Sequence, residues 1–262
     1  MAVLKTFKKE RLRVRVFDGR ASMGDCAGQE AAEYLRALLK EKDEINVMFA
    51  AAPSQNETLA ALCAAEGIEW DKVNAFHMDE YVGLDPAHPA GFRNFLRRAI
   101  FDRLPFRSVN LMDANAADLH AAVGAYDALL RAHPLDACLL GVGENGHIAF
   151  NDPPVADFCD PAMAKVVELE DRCRMQQVHD GCFERLEQVP AYAITATIPA
   201  MMGAKRLFCS VPSETKAEAV KNMLCGKIST ACPASVLRTH PAAELYLDAD
   251  AAKYILQEGD KL

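Results

Sequence analysis

Short runs of β-branched and apolar residues alternate along this chain with longer stretches whose apolar positions recur at helical spacing. "RVRVF" (13–17) reads as a strand. The segment after it puts Ala27, Ala31, Leu35 and Leu38 on one helical face, with Ser22 and Asp25 spaced as a capping box. "INVMFA" precedes a helix in "PSQNETLAALCAAEG", where Ser54 and Glu57 again have capping-box spacing and Gly67 marks the end. The rhythm continues through "VNAFHM", a helix from about Gly91 to Arg103, "VNLM", a helix from about Asp118 to Ala132, and "LDACLL". "YAITATI", "RLFCSV", a helix from about Glu214 to Leu224 and "ELYLD" complete it.

Strands alternating with helices predict βαβ units, and so an α/β fold with a mostly parallel sheet covered on both faces. No repeat, low-complexity tract or linker-like stretch interrupts the pattern, which predicts a single domain over residues 1–262. In such sheets ligands bind beyond the carboxyl ends of the strands. Three polar-rich segments fall there: "HMDEY", "GVGENGH" and "PSETK".

Composition narrows the class. With 51% hydrophobic and 25% charged residues, the 262-residue chain can bury a core without staples. Its formal net charge of -8 argues against non-specific binding to nucleic acid or an anionic membrane, and favours a small-molecule partner. No signal-peptide pattern or membrane-length apolar run is present, so a cytoplasmic location is expected. Nine cysteines without a C-x-x-C pair read as reduced thiols, and the Cys173, His179, Cys182 spacing as no metal site.

The candidate chemistry sits at the strand ends. Asp79, with Glu80 beside it, is a carboxylate that partial desolvation would suit to act as a base on a carbon-bound proton next to a carbonyl. His147 follows Gly146, a residue type that permits close backbone approach to a ligand or a positive φ. Asn145 and Asp152 are candidates to fix its tautomer while it exchanges a proton with a sugar oxygen. Lys216, introduced by "VPSET", could hold an anion together with the Ser213 and Thr215 hydroxyls and free helix N–H groups. Each of these has a plainer alternative: a capping carboxylate pair, a satisfied structural histidine and an exposed first-turn lysine.

Taken together, "FHMDEYVGLDPAHPAGFRNFL", "GVGENGHIAFNDPP", "QVPAYAITATIPAMMGAKRLFCSVPSETKAEAV" and "CPASVLRTHP" resemble the glucosamine-6-phosphate deaminase/isomerase family, in order over about residues 45–248. The 6-phosphogluconolactonases are its more distant relatives. The resemblance implies a Rossmann-like three-layer α/β sandwich. It also implies ring opening of an amino sugar phosphate by His147, proton transfer between C2 and C1 by Asp79, and loss of ammonia to give a ketose phosphate. Lys216 would bind phosphate, no metal or organic cofactor is implied, and a homo-oligomer is compatible with the family.

The departures shape the expectation. Asn145 stands where the family usually has aspartate, and Asp152 where it has glutamate; an amide can hydrogen-bond an imidazole but cannot take up its proton. In place of a glycine-rich phosphate loop the chain has "AAAPSQNE" (50–57), so Ser54, Gln55 and Asn56 become candidate substrate contacts beside Gly146, Glu80 and Lys216. An expected arginine has no equivalent in "QQVHDGC", which leaves Lys216 and Arg238 for phosphate. Two rivals stay open. One is a lactonase-like hydrolase in which His147 activates water; the other is a sugar-phosphate-binding protein that has lost catalysis.

Overall fold

In the computed structural model, which describes residues 2–257, the apolar runs become strands, most of them buried on both sides, while the short edge strand from "VNLM" stays partly exposed. The strands of the main sheet are β1 (Val3–Lys9), β2 (Leu12–Phe17), β3 (Ile45–Phe49), β4 (Val73–His77), β6 (Ser108–Asn110), β7 (Ala137–Leu140), β10 (Arg206–Val211) and β11 (Ala243–Asp248). A second sheet is built from β5 (Asp79–Tyr81), β8 (Ala164–Glu168) and β9 (Tyr192–Ala196). The helices are α1 (Arg20–Leu39), α2 (Asn56–Ala64), α3 (Phe92–Leu96), α4 (Leu119–Ala132), α5 (Asp171–His179), α6 (Ile198–Met202), α7 (Ala217–Cys225) and α8 (Lys253–Gln257).

The main sheet runs β1-β2-β11-β10-β7-β3-β4-β6, parallel throughout except for the antiparallel hairpin of β1 with β2. Side-chain alternation explains why it must be covered twice. From β3, Ile45, Val47 and Phe49 pack with Ala27, Ala31 and Leu35 of α1 and Leu59 and Leu62 of α2, whereas Met48 joins the layer containing Tyr126 and Leu130 of α4 and Val220 and Met223 of α7. α1 and α2 approach closely because Gly28 faces the α2 backbone, where a Cβ would lie 2.6 Å from the Thr58 carbonyl oxygen. The α/β class and the mostly parallel sheet match the periodicity.

Several local expectations are corrected. Neither capping box forms: α1 starts two residues before Ser22, whose hydroxyl bonds back to Asp18 and the Gly19 carbonyl, and Glu57 instead pairs with Arg20 at 2.7 Å. α2 ends at Ala64, three residues before Gly67. The expected Gly91–Arg103 helix is α3 followed by a wider turn over Arg97–Phe101. "YAITATI" is not a strand of the parallel sheet: β9 pairs antiparallel with both β5 and β8. Tight pairing of this kind depends on partners distant in sequence, which a local pattern does not carry. No helix among the described residues is long and apolar enough to cross a membrane.

Candidate active site

β4 ends at His77, and after Met78 the chain enters β5 at Asp79. β5 is held by β9, with Asp79 opposite Thr195. The Thr195 hydroxyl oxygen in turn accepts the Phe150 N–H at 3.0 Å, and Asn151 donates its side-chain amide to the Ala196 carbonyl at 2.9 Å. The second sheet therefore clasps the loop after β7 and brings His147 to the same cleft as Asp79. The cleft is small, about 50 Å³, and open to solvent, with Ser54, Gln55, Met78, Phe92, Gly143, Phe150, Gln176 and Gln177 among its walls. Ala149, also in its wall, takes a left-handed backbone at φ 49°. Strained backbone of this kind is found where surrounding contacts dictate the geometry.

Asp79 and His147 are the titratable side chains in this wall. Asp79 is buried, its Oδ1 has no hydrogen-bond partner, and loss of hydration, reinforced by the nearby Glu80 charge, holds its carboxyl well above the usual carboxylate range. Asp152 is buried too but differently served. Its Oδ1 lies 3.0 Å from His147 Nδ1, in a contact poorly aligned for a linear hydrogen bond, and accepts the Asn145 amide at 2.9 Å. Its Oδ2 accepts the Glu170 N–H at 3.2 Å. Burial pushes the Asp152 carboxyl up, but His147, Asn145 and the Glu170 N–H together outweigh it and hold the group below its ordinary value. Asn145 also donates to Glu170 at 2.6 Å and accepts the His147 N–H at 3.1 Å.

Two neighbouring glycines do different work. Gly143 lies against the His147 ring, where any Cβ would collide with the imidazole. Gly146, expected from sequence to meet the ligand, has φ 85° and instead faces Cys232, 2.7 Å from where its Cβ would be. His147, Asp152 and Cys173 place donor atoms within 4.8 Å of one another. Asp152 already receives several donors, and burial, followed by the Asp152 charge, pushes the Cys173 thiol well up, so the group reads as a hydrogen-bonded cluster.

The other sequence candidates divide. Ser54 and Gln55 line the cleft. Gln55 donates to the Ser210 carbonyl at 3.2 Å, which fixes its amide and leaves Oε1 buried without a partner. Asn56 is exposed at the start of α2 and is not in the wall. Glu80 lies outside the cleft and serves α3, accepting the Phe92 and Arg93 N–H groups at 3.0 and 2.9 Å and the Arg93 guanidinium at 3.1 Å. Lys216, at the end of a short turn before α7, is buried outside the wall, with its ammonium unpartnered. Burial lowers its pKa against the opposing pull of Asp180 and Glu144. Ser213 and Thr215 do not reach it but bond to each other at 3.2 Å. Arg238 is spent on Glu10 and on the Met223 and Gly226 carbonyls, at 3.2 and 2.7 Å for the carbonyls. Gln176, Gln177 and Glu170 were missed: α5 follows β8 after only Leu169 and Glu170, and nothing local marks which of its residues turn inward.

A desolvated aspartate and a carboxylate-held histidine at the strand ends of a doubly covered parallel sheet define an α/β enzyme whose chemistry is proton transfer. The chain belongs to the glucosamine-6-phosphate isomerase/6-phosphogluconolactonase family, whose profile matches residues 19–246. It is 34% identical over 212 residues to a glucosamine-6-phosphate deaminase of Listeria welshimeri, covering 81% of this chain and 88% of that one. A glucosamine-6-phosphate deaminase of Exiguobacterium is 36% identical over 187 residues, 71% of this chain and 72% of that one. Among solved structures, a monomeric glucosamine-6-phosphate deaminase superposes with a TM-score of 0.82 at 27% identity, over 92% of this chain and 98% of that one. The 6-phosphogluconolactonase of Thermotoga maritima shares the fold, with a TM-score of 0.73 at 17% identity over 90% and 99% of the two chains.

Proposed function

We propose that this chain is a cytoplasmic, single-domain aldose–ketose isomerase/deaminase that converts glucosamine 6-phosphate, or a close amino sugar phosphate, to a ketose phosphate with release of ammonia. The observation that carries the reading is the pairing in one cleft of Asp79, starved of hydrogen-bond donors, with His147, whose Nδ1 lies 3.0 Å from Asp152.

In this reading Asp152 keeps the proton on His147 Nδ1, which leaves Nε2 to take the C1 hydroxyl proton and return it to the ring oxygen as the sugar opens. Asp152 balances the charge that the ring carries in between. The open-chain aldehyde acidifies the C2 hydrogen. Asp79 removes it as the C2 ammonium passes a proton to the carbonyl oxygen, giving an enol-type intermediate, and then delivers its proton to C1; the iminium left at C2 is hydrolysed to ketone with ammonia leaving as ammonium. A carboxylate without donors is a stronger base than a solvated one, and the substrate ammonium at C2 would supply the positive charge that lets Asp79 ionise as substrate enters. The unpartnered Gln55 Oε1 is suited to accept from a sugar hydroxyl. Lys216 stands outside the wall, so a phosphate would draw its ammonium toward the cleft; a buried cation without a partner gains from such an anion.

The test is incubation of purified protein with glucosamine 6-phosphate in deuterium oxide. Ammonia, fructose 6-phosphate and deuterium exchange at C2 are expected. Absence of all three would overturn the reading, and turnover of a sugar lactone retained by Asp79→Asn would install hydrolysis in its place.

A further inference from the structure

We infer that Glu170 is a positioning residue for His147, locking Asn145 as a one-way bridge between two carboxylates so that the Asp152–His147 pair is held in a single arrangement. The inference rests on the reading of His147 as the ring-opening acid and base.

The geometry admits no other orientation of the bridge. Asn145 Nδ2 donates to Asp152 Oδ1 at 2.9 Å and to Glu170 Oε2 at 2.6 Å, while its Oδ1 accepts the His147 backbone N–H at 3.1 Å. Carboxylates only accept and a backbone N–H only donates, so flipping the amide would break all three bonds at once. Glu170 grips the cluster twice: its side chain takes Asn145, and its own N–H donates to Asp152 Oδ2 at 3.2 Å. It sits at the N-cap of the nine-residue α5, where the free helix N–H groups favour negative charge. Both Asn145 hydrogens are thus consumed by carboxylates, leaving none for a substrate. Asn145 acts on the chemistry through Asp152, and Glu170 acts through Asn145.

The arrangement also explains why an amide is the residue that fits here. A carboxylate at 145 would face Asp152 and Glu170 together, with Asp79 a further acid in the cleft and the Cys173 thiol, on α5, already engaged with Asp152. Like charges at hydrogen-bond distance in a partly buried site are unfavourable. The bridge needs one donor residue between two acceptors, and its polarity is set by Glu170.

The test uses the substrate-free protein and the enzyme in parallel. Nitrogen-15 NMR of the His147 ring, assigned by comparison with His147→Gln, reports the share of the Nδ1–H tautomer. Glu170→Ala is expected to spread the ring over both tautomers and lower kcat/KM about tenfold, with KM little changed; Glu170→Gln, which keeps an acceptor oxygen, should restore most of both. Asn145→Asp should lower kcat/KM at least about 100-fold, and adding Glu170→Gln to it should recover about tenfold or more. Unchanged tautomer populations in Glu170→Ala, or an Asn145→Asp defect indifferent to the residue at 170, would overturn the inference. Should Asn145→Asp fail to fold, the Ala and Gln variants of Glu170 decide it. The tautomer signal needs no turnover, so inactivity on glucosamine 6-phosphate would sink the functional reading alone.

Discussion

Asp79 and Asp152 are both buried carboxylates of one site, yet Asp152 accepts the Asn145 amide and the Glu170 N–H and has His147 Nδ1 3.0 Å away, whereas Asp79 leaves an oxygen without a partner. The same chemical group is held below its ordinary pKa in the first case and well above it in the second, both against or because of the same burial. Donor count decides the direction. Two environments pushing two acids apart is how one protein assigns fixed charge to one and proton transfer to the other. Asp152 is suited to orient and neutralise, Asp79 to accept and return a proton.

The sharpest way to break this contrast is Asp79→Asn, which keeps shape and removes the base. It should cut deaminase kcat about 10³-fold and abolish C2 exchange, read by proton NMR in deuterium oxide. Next, Gly143→Ala should cost about 100-fold in kcat, because the new methyl displaces the imidazole from Nδ1 contact with Asp152. The neighbouring Gly146→Ala should instead lower the melting temperature and leave kcat within a few-fold, since its positive φ and the Cys232 contact are matters of folding. Lys216→Met should raise KM for the phosphorylated sugar about tenfold, roughly 1.4 kcal/mol, with a smaller effect on kcat. An unchanged KM would mean that Lys216 does not meet the substrate.

The smallest effect concerns pH and stability. Folding raises the Asp79 pKa, so the folded state binds that proton more tightly than the unfolded chain. The stability this contributes is fully present below the unfolded carboxylate range, about pH 4, and is lost as pH rises toward the folded value. At neutral pH, Asp79→Asn should therefore melt roughly 2–4 °C higher than the parent, with the gain shrinking toward pH 4. A lower melting temperature would mean that the carboxylate has a partner in solution. Activity should run the other way and rise with pH, because the base form of Asp79 is the one that works.

Much of the fold was legible. The parallel strands and α1, α4 and α7 came from period and burial, since a strand covered on both faces must be apolar throughout and a helix covering it must show a stripe. Helix starts were misplaced: Ser22 and Ser54 have the right spacing for a box, but Arg20 and Glu57 pair with each other across α1 and α2, α1 begins before Ser22, and α2 begins only at Asn56. Among site residues, Ser54, Gln55, Asp79 and His147 reach the cleft, while Glu80, Asn56, Gly146 and Arg238 are engaged elsewhere or exposed. A charged or small residue near a strand end looks the same in sequence whether it faces a ligand or caps a helix.

By itself the sequence determined which groups were available: an aspartate after β4, a histidine beside glycines after β7, and amides where a phosphate loop could have been, because residue type and local period are properties of the chain alone. Tertiary structure alone decided that β9 would join β5 and, through Thr195, clasp the histidine loop beside Asp79. It also decided which carboxylate would be wrapped in donors and which left dry. Hydrogen-bond supply and desolvation depend on what packs around a group, and the residues that do so come from distant parts of the chain.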